Sequence, residues 1–231
     1  MSLSEIQYET IYIHLFHRFL KNQLTILVNH HDSSLNRSHM ILYITYIRLI
    51  MNHENTSMIH KKSAPRSARF AVITVSTSRF ETFGNSPDPE HSDDISGKLM
   101  IELLKSSGHE VSRYSLLPDN KDEITQLVSG LSDSDINAIV ISGGTGLASD
   151  DVTLEAVEPL FNKTIPGFGE LFRQKSLNEV GTAAMLSRAS AGIVNKCIVF
   201  CLPGSPAAVK LGLNELVIPE VTHIIKHVAS Q

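Results

Sequence analysis

From Arg69 onward, short apolar runs alternate with amphipathic segments along the chain. Arg69 to Ser76 (RFAVITVS) is rich in β-branched residues and predicts a buried first strand. Thr77 to Glu90 carries Gly84, Pro87 and Pro89 and reads as a mobile loop. Ile95, Leu99 and Leu103 recur at helical spacing after Asp93-Asp94, which predicts a helix with acid at its positive end and Asp93 as its cap. Gly108-His109 stops that helix. Glu110 to Leu117 is a second strand, and Pro118-Asp119-Asn120 turns the chain into a helix over Ile124, Leu127, Val128 and Leu131. Ile136 to Ser142 (INAIVIS) is a third strand running straight into Gly143-Gly144-Thr145-Gly146.

Alternating strands and helices predict an α/β fold with a parallel sheet covered on both faces. One feature breaks the parallel rule. Ala189–Val194 and Cys197–Leu202 are strand-like and only Asn195-Lys196 separates them. Two residues close only an antiparallel hairpin, so the sheet is expected to be mixed and mostly parallel. Pro206–Leu216 and Pro219–Ala229 read as C-terminal helices.

Before residue 67 the pattern is different. Glu5 to Val28 fits an amphipathic helix, and Met40 to Met51 is an apolar stretch of helix-or-strand ambiguity. All thirteen glycines lie at Gly84 or later and all nine prolines at Pro65 or later, whereas seven of eleven histidines precede residue 61. Charge shifts as well: through Arg66 there are seven Lys/Arg against four Asp/Glu, a net of 7 − 4 = +3, and the remainder carries 13 − 20 = −7. Two compositions meet at Lys61–Ser67, which reads as a linker. Residues 1–66 are therefore set apart as an N-terminal extension, with residues 67–231 as the domain. The extension is either a docking or membrane-surface helix, or a segment upstream of the natural start that carries no selected structure. The polar face is not strongly basic, which weakens the membrane version, and the second reading is preferred because Met51 begins a short polar lead-in of the kind that often precedes a first strand.

The whole-chain numbers narrow the function classes. A hydrophobic fraction of 42% supports a sizeable core and excludes full-length disorder. No run of eighteen apolar residues occurs, so no membrane-spanning helix is expected. The net charge of −4 argues against a general nucleic-acid binder. Glu5, Glu9 and the lack of a small-residue cleavage site argue against a secretory signal, and the expected location is cytoplasmic. The two cysteines, Cys197 and Cys201, lie on one strand about 13 Å apart, too far for a disulfide, and read as core residues in a reducing compartment.

Several short motifs could carry chemistry. Ser142-Gly143-Gly144-Thr145-Gly146 ends a strand where the ligand crevice of parallel sheets lies, and bare amides there suit a phosphate; the plainer reading is a tight turn. Asp150-Asp151-Val152-Thr153 is either a helix cap, through Asp151 or Thr153, or a magnesium site. Asp94 faces the glycine loop across the crevice if the first and third strands are neighbours. Arg188, in Leu186–Gly192, either forks onto phosphate or forms a surface ion pair. Leu202-Pro203-Gly204-Ser205-Pro206 is a further loop of small residues, with Pro206 at a helix start. His223 and His227 share a helical face, but no Glu follows His223, so the HExxH zinc motif is absent and a solvated or partly packed pair is expected.

Taken together and in order, these segments resemble the MoaB/MogA family of molybdenum cofactor biosynthesis proteins. The resemblance is carried by DISG at Asp94–Gly97, SGGTG at Ser142–Gly146, DVTLEA at Asp151–Ala156 and PGFGELFR at Pro166–Arg173. It continues through LSRASAGI at Leu186–Ile193, LPGSPAAV at Leu202–Val209 and ELVIPEVTHI at Glu215–Ile224. It implies a three-layer α/β/α domain that binds molybdopterin as a homotrimer or homohexamer. It further implies an adenylyltransferase that joins molybdopterin to AMP from Mg2+-bound ATP and releases pyrophosphate, with a metal-insertion protein downstream. On this resemblance Asp94 and Asp151 are catalytic, and Asp150 and Asp151 hold the metal. Substrate and phosphate fall to Ser142, Gly143, Gly144, Thr145, Gly146, Ser187, Arg188, Pro203, Gly204 and Ser205. Many members carry arginine where this chain has Asp150, which removes a positive charge beside the expected triphosphate and adds a negative one. That departure motivates two alternatives on the same fold: a non-catalytic molybdopterin-binding or carrier protein, and an assembly module without the site.

Overall fold

The structure, a computed structural model, describes residues 65–229. The expected helix at Glu5–Val28, the apolar stretch at Met40–Met51 and most of the linker lie outside these residues. Alternation along each strand builds the domain. In β1 (Arg69–Val75) Phe70 and Val72 enter one core, and Ala71, Ile73 and Val75 the other. β3 (Ala138–Ser142) divides the same way, Ala138 and Val140 against Ile139 and Ile141. So does β6 (Cys197–Leu202), with Ile198, Phe200 and Leu202 against Cys197, Val199 and Cys201. A strand apolar on both faces must be covered on both, and the result is three layers.

Six strands form one sheet in the order β2-β1-β3-β6-β5-β4, where β2 is Glu110–Leu117, β4 is Lys163–Thr164 and β5 is Ser190–Val194. β1 pairs parallel with β2 and β3, and β3 parallel with β6. β5 is antiparallel to β6 and to β4. The mixed sheet is as the sequence predicts, and the first and third strands are neighbours, the condition under which Asp94 faces the glycine loop. The hairpin closes with Val194 opposite Cys197, and Asn195 takes φ of 55°, a left-handed conformation that asparagine tolerates.

The short helix α1 (Thr77–Phe83) corrects the loop expected there. None of its residues is buried, so no apolar periodicity marks it; Gly84 at φ 65° ends it. α2 (Ile95–Ser106) is capped by Asp94 rather than the expected Asp93: the Asp94 carboxylate accepts from the Gly97 N–H, while Asp93 sits at φ 50°. Asn120 caps α3 (Lys121–Ser132), accepting from the amides of Asp122 and Glu123. α3 and the short α4 (Thr153–Val157) cover one face of the sheet. α2, α5 (Pro166–Val180), α6 (Pro206–Gly212) and α7 (Ile218–Ala229) cover the other. Between α6 and α7 the chain stays helical through one π turn, Leu213–Val217. Pro219 has no N–H to return to the Glu215 carbonyl four residues back, and the ladder loosens just before it.

Candidate functional site

β1 leads outward to β2 and β3 leads the other way, so the sheet reverses its winding between β1 and β3. The carboxyl ends of strands at such a point border a crevice. The glycine loop leaves β3 there. Gly143 adopts φ of 98° and a Cβ at that position would overlap the Val75 carbonyl of β1, so both the turn and the close approach require glycine. Its amide donates to the Leu202 carbonyl of β6 at 3.1 Å. Thr153, fully buried, holds the loop from the far side: its hydroxyl donates to the Gly143 carbonyl at 2.9 Å and its amide to the Gly144 carbonyl at 2.9 Å. Among the described residues no acceptor meets the amides of Gly144, Thr145 and Gly146. Three consecutive amide donors are thus left without partners at the end of β3, the kind of backbone arrangement that suits an anion.

Asp151 lies against this loop. Its Oδ2 accepts from the Ala148 amide at 3.0 Å, and a Cβ at Gly146 would come within 2.5 Å of that oxygen. Neither Asp151 nor Thr153 caps α4, whose N-cap Val152 offers no side-chain bond; the capping expected for this segment is replaced by contacts to the glycine loop. Asp150 is exposed. Arg188 crosses from the start of β5. Its Nε donates to the Thr145 carbonyl at 3.1 Å and one terminal nitrogen to the Asp151 carbonyl at 3.3 Å. The guanidinium also grips both carboxylate oxygens of Glu155, at 2.5 and 3.3 Å. That bond to Arg188 holds the Glu155 carboxyl below its usual range and raises the Arg188 guanidinium further. Of the two readings of Arg188, the ion pair is the arrangement seen, and it braces the loop.

Asp94 stands on the other side of the crevice. It is 3% exposed, with Oδ1 accepting from Gly97 and Oδ2 from the Tyr114 hydroxyl at 2.8 Å. Burial pushes the Tyr114 phenol well above its usual range, so it remains a donor. The Ser96 hydroxyl donates to the Gly204 carbonyl at 2.7 Å, tying α2 to the loop after β6 across 108 positions of sequence. Ser142 is fully buried and its hydroxyl donates to the Pro203 carbonyl at 3.4 Å. Ser205 is the N-cap of α6, accepting from the Ala208 amide at 3.2 Å, with Pro206 as the first helical residue. Ser187 accepts from the Ala189 amide at 3.4 Å.

Two cavities lie near these residues, and Gly143–Gly146 line neither. One, about 250 Å³, is lined by Thr74, Ser76, Arg79, Asp94, Ser142 and Gly204 among others. The second, about 660 Å³, is a groove that includes Glu155, Glu158, Arg173 and Arg188. The structure thus brings Asp94, Ser142 and Gly204 to one cavity and Arg188 to another, with Asp151 against the loop between β3 and α4. Asp94 and Asp151 share neither cavity. Three contributors escape sequence reasoning. Arg79 places a guanidinium at the smaller cavity, held by the Ser92 and Asp93 carbonyls. Asp119 bonds both the amide and the hydroxyl of Thr77 and lies beside Gly144. Glu155 fixes Arg188. Glu155 falls inside a quoted motif, but nothing local marks any of the three, because each partner is 13 to 42 residues away.

Among the described residues no cluster of three or more His, Cys, Asp or Glu could hold a metal ion, and no helix is long and apolar enough to cross a membrane. Asp151 keeps Oδ1 without a donor among the described residues, next to exposed Asp150. Such a donor set fits magnesium, which takes one or two carboxylates and fills its shell with water and phosphate oxygens.

Comparison with known proteins bears on the same residues. Residues 71–223 match the family model described as "Probable molybdopterin binding domain". The chain is 44% identical over 171 residues to molybdenum cofactor biosynthesis protein B of Bacillus subtilis (strain 168), covering 73% of this chain and 95% of that protein. It is similar to a solved structure of a molybdenum cofactor biosynthesis protein B, with TM-score 0.65 and 40% identity over 73% of this chain and 100% of that one. A tungsten cofactor synthesizing protein MoaB from Pyrococcus furiosus superposes with TM-score 0.62 and 42% identity, over 71% and 99%.

Proposed function

The chain belongs to the MoaB/MogA family of molybdopterin-binding domains, and from that premise we propose that it adenylylates molybdopterin in molybdenum or tungsten cofactor biosynthesis. The function is assigned to residues 67–231. The observation that carries the reading is the row of unpaired amides at Gly144, Thr145 and Gly146 beside the Asp151 carboxylate. An oxygen of the terminal phosphate of molybdopterin attacks the α-phosphorus of ATP; the new P–O bond forms as the bond to the β-phosphate oxygen breaks, and pyrophosphate leaves with that electron pair. The reaction needs little covalent help, so positioning and charge neutralisation are the protein's contribution.

In this reading the loop amides bind phosphate oxygens and cost no reorganisation, because Thr153, Leu202 and Arg188 already hold the loop. Asp151, with Asp150, would hold Mg2+, which when bound offsets the charge of the triphosphate. Asp94, fixed by Gly97 and Tyr114, orients a polar group of the substrate in the smaller cavity. Purified chain with molybdopterin, ATP and Mg2+ is expected to yield the AMP–molybdopterin adduct and pyrophosphate. Asp151→Asn keeps an acceptor for the Ala148 amide, so the fold survives and turnover falls by about two orders of magnitude or more. Wild-type turnover in that variant rejects the role given to Asp151.

A second reading is favoured by one observation: Arg188 is already paired with Glu155, and Asp150 adds negative charge at the loop, so less positive charge is left for a triphosphate. A carrier of this kind would bind molybdopterin and form no adduct. Calorimetric titration with Mg-ATP separates the two.

A further inference from the structure

The C-terminal helix carries a cluster outside the crevice. On α7, Val221, Ile224, Ile225 and Val228 pack toward the core, and His223 and His227 project elsewhere. Helical residues four apart stand one above the other. Here the two imidazole Nε2 atoms come within 2.9 Å, with ring centroids 4.6 Å apart. Glu220, one turn earlier, meets the His223 Nδ1 at 3.2 Å. The pair is solvated and partly packed, as the sequence predicts: His227 is exposed and the His223 side chain is 26% exposed.

A carboxylate only accepts, so the His223 tautomer that bonds Glu220 carries Nδ1–H and leaves Nε2 to act as a ligand. His227 meets that nitrogen with its own Nε2. With the His227 proton on Nδ1, both Nε2 atoms present lone pairs on the same side of the helix, 2.9 Å apart. A carboxylate bonded to the far nitrogen of a ligating histidine orients the ring and raises its basicity.

We infer that His223 and His227 form a binding site for a borderline divalent transition-metal ion, with Glu220 as the positioning carboxylate. The spacing narrows the class. With metal–nitrogen bonds of about 2.0–2.1 Å, nitrogens 2.9 Å apart subtend an angle of about 90°. That is the cis angle of a tetragonal or octahedral centre, which suits Ni2+ or Cu2+; tetrahedral Zn2+ needs the pair opened to about 3.3 Å. Water fills the remaining positions. The site is independent of the phosphate chemistry proposed above, and its test does not use that activity.

The full chain contains eleven histidines, so total metal uptake is not the readout. Histidine ring resonances are followed instead as NiCl2 is added, those of His223 and His227 being assigned from His223→Ala and His227→Ala. Circular dichroism melting checks that each variant is folded. The site predicts that both rings broaden together by one equivalent of nickel. Removing either histidine is expected to weaken nickel binding at the other at least tenfold. Glu220→Gln, which leaves both ligands in place, is expected to weaken it by about 10- to 100-fold. The inference is overturned if the two rings broaden no earlier than the other histidines, or if either ring responds unchanged when its partner is alanine.

Discussion

Thr153→Val tests how the glycine loop is held. Valine nearly preserves the shape of threonine and removes one donor. The lost bond is the 2.9 Å contact from the Thr153 hydroxyl to the Gly143 carbonyl. Both residues are buried, so water cannot replace the donor, while the Thr153 amide still bonds the Gly144 carbonyl. A buried acceptor deprived of its donor costs about 1–3 kcal/mol. For a domain of this size that lowers Tm by about 2–10 °C. Urea unfolding is expected to show a lower midpoint with unchanged slope, since the exposed surface does not change. Thr153→Ser retains the hydroxyl and is expected to recover most of the loss. If valine leaves the midpoint unchanged, or serine loses as much as valine, the hydroxyl does not anchor the loop and the account of its preorganisation fails.

The other predictions concern charge and access. Glu155→Gln is expected to remove a pH-dependent contribution. The folded carboxyl lies below its ordinary value of 4.5, so the stabilisation is present above that value and is lost as pH falls through the depressed one. Both partners are partly exposed, so the difference between wild type and variant stays within about 1 kcal/mol at neutral pH and vanishes in acid, read by urea midpoints across pH. Asp150→Arg changes the charge beside the loop by two units; in magnesium-free, low-salt buffer it is expected to tighten ATP binding by about 5- to 30-fold, an effect that fades with added salt. Cys197 and Cys201 are both buried, and burial pushes the Cys197 thiol up to about 12. Neither is expected to react with a thiol reagent until the domain unfolds, as mass spectrometry after a brief pulse will show.

The sheet was readable because its strands bury both faces: runs such as AIVIS and CIVFCL have no polar side to mistake. The antiparallel step was readable from a two-residue connection alone. Helix α1 was not, because it buries nothing and its residues follow no apolar stripe. Asp93 and Asp94 illustrate the limit at a helix start: both are plausible caps, and the backbone at φ 50° for Asp93 decides between them. At the candidate site, the motifs fall on loops that the fold brings together, and their internal wiring is non-local. Thr153 could have been a cap, but it bonds a carbonyl ten residues back. Arg188 meets Glu155 at a separation of 33 residues, and Ser96 meets Gly204 at 108. Such pairs follow from the strand order β1-β3-β6-β5, which brings chain-distant loops together at one end of the sheet.

The most direct measurement is at the amides themselves. Backbone 15N–1H resonances of Gly144, Thr145 and Gly146 should shift saturably when a non-hydrolysable ATP analogue and Mg2+ are added, with the same apparent Kd at all three. Asp151→Asn should weaken that response without displacing the spectrum of the free protein. Resonances that stay in place while nucleotide binds elsewhere, or that never respond at any concentration, would contradict the assignment of this loop to phosphate.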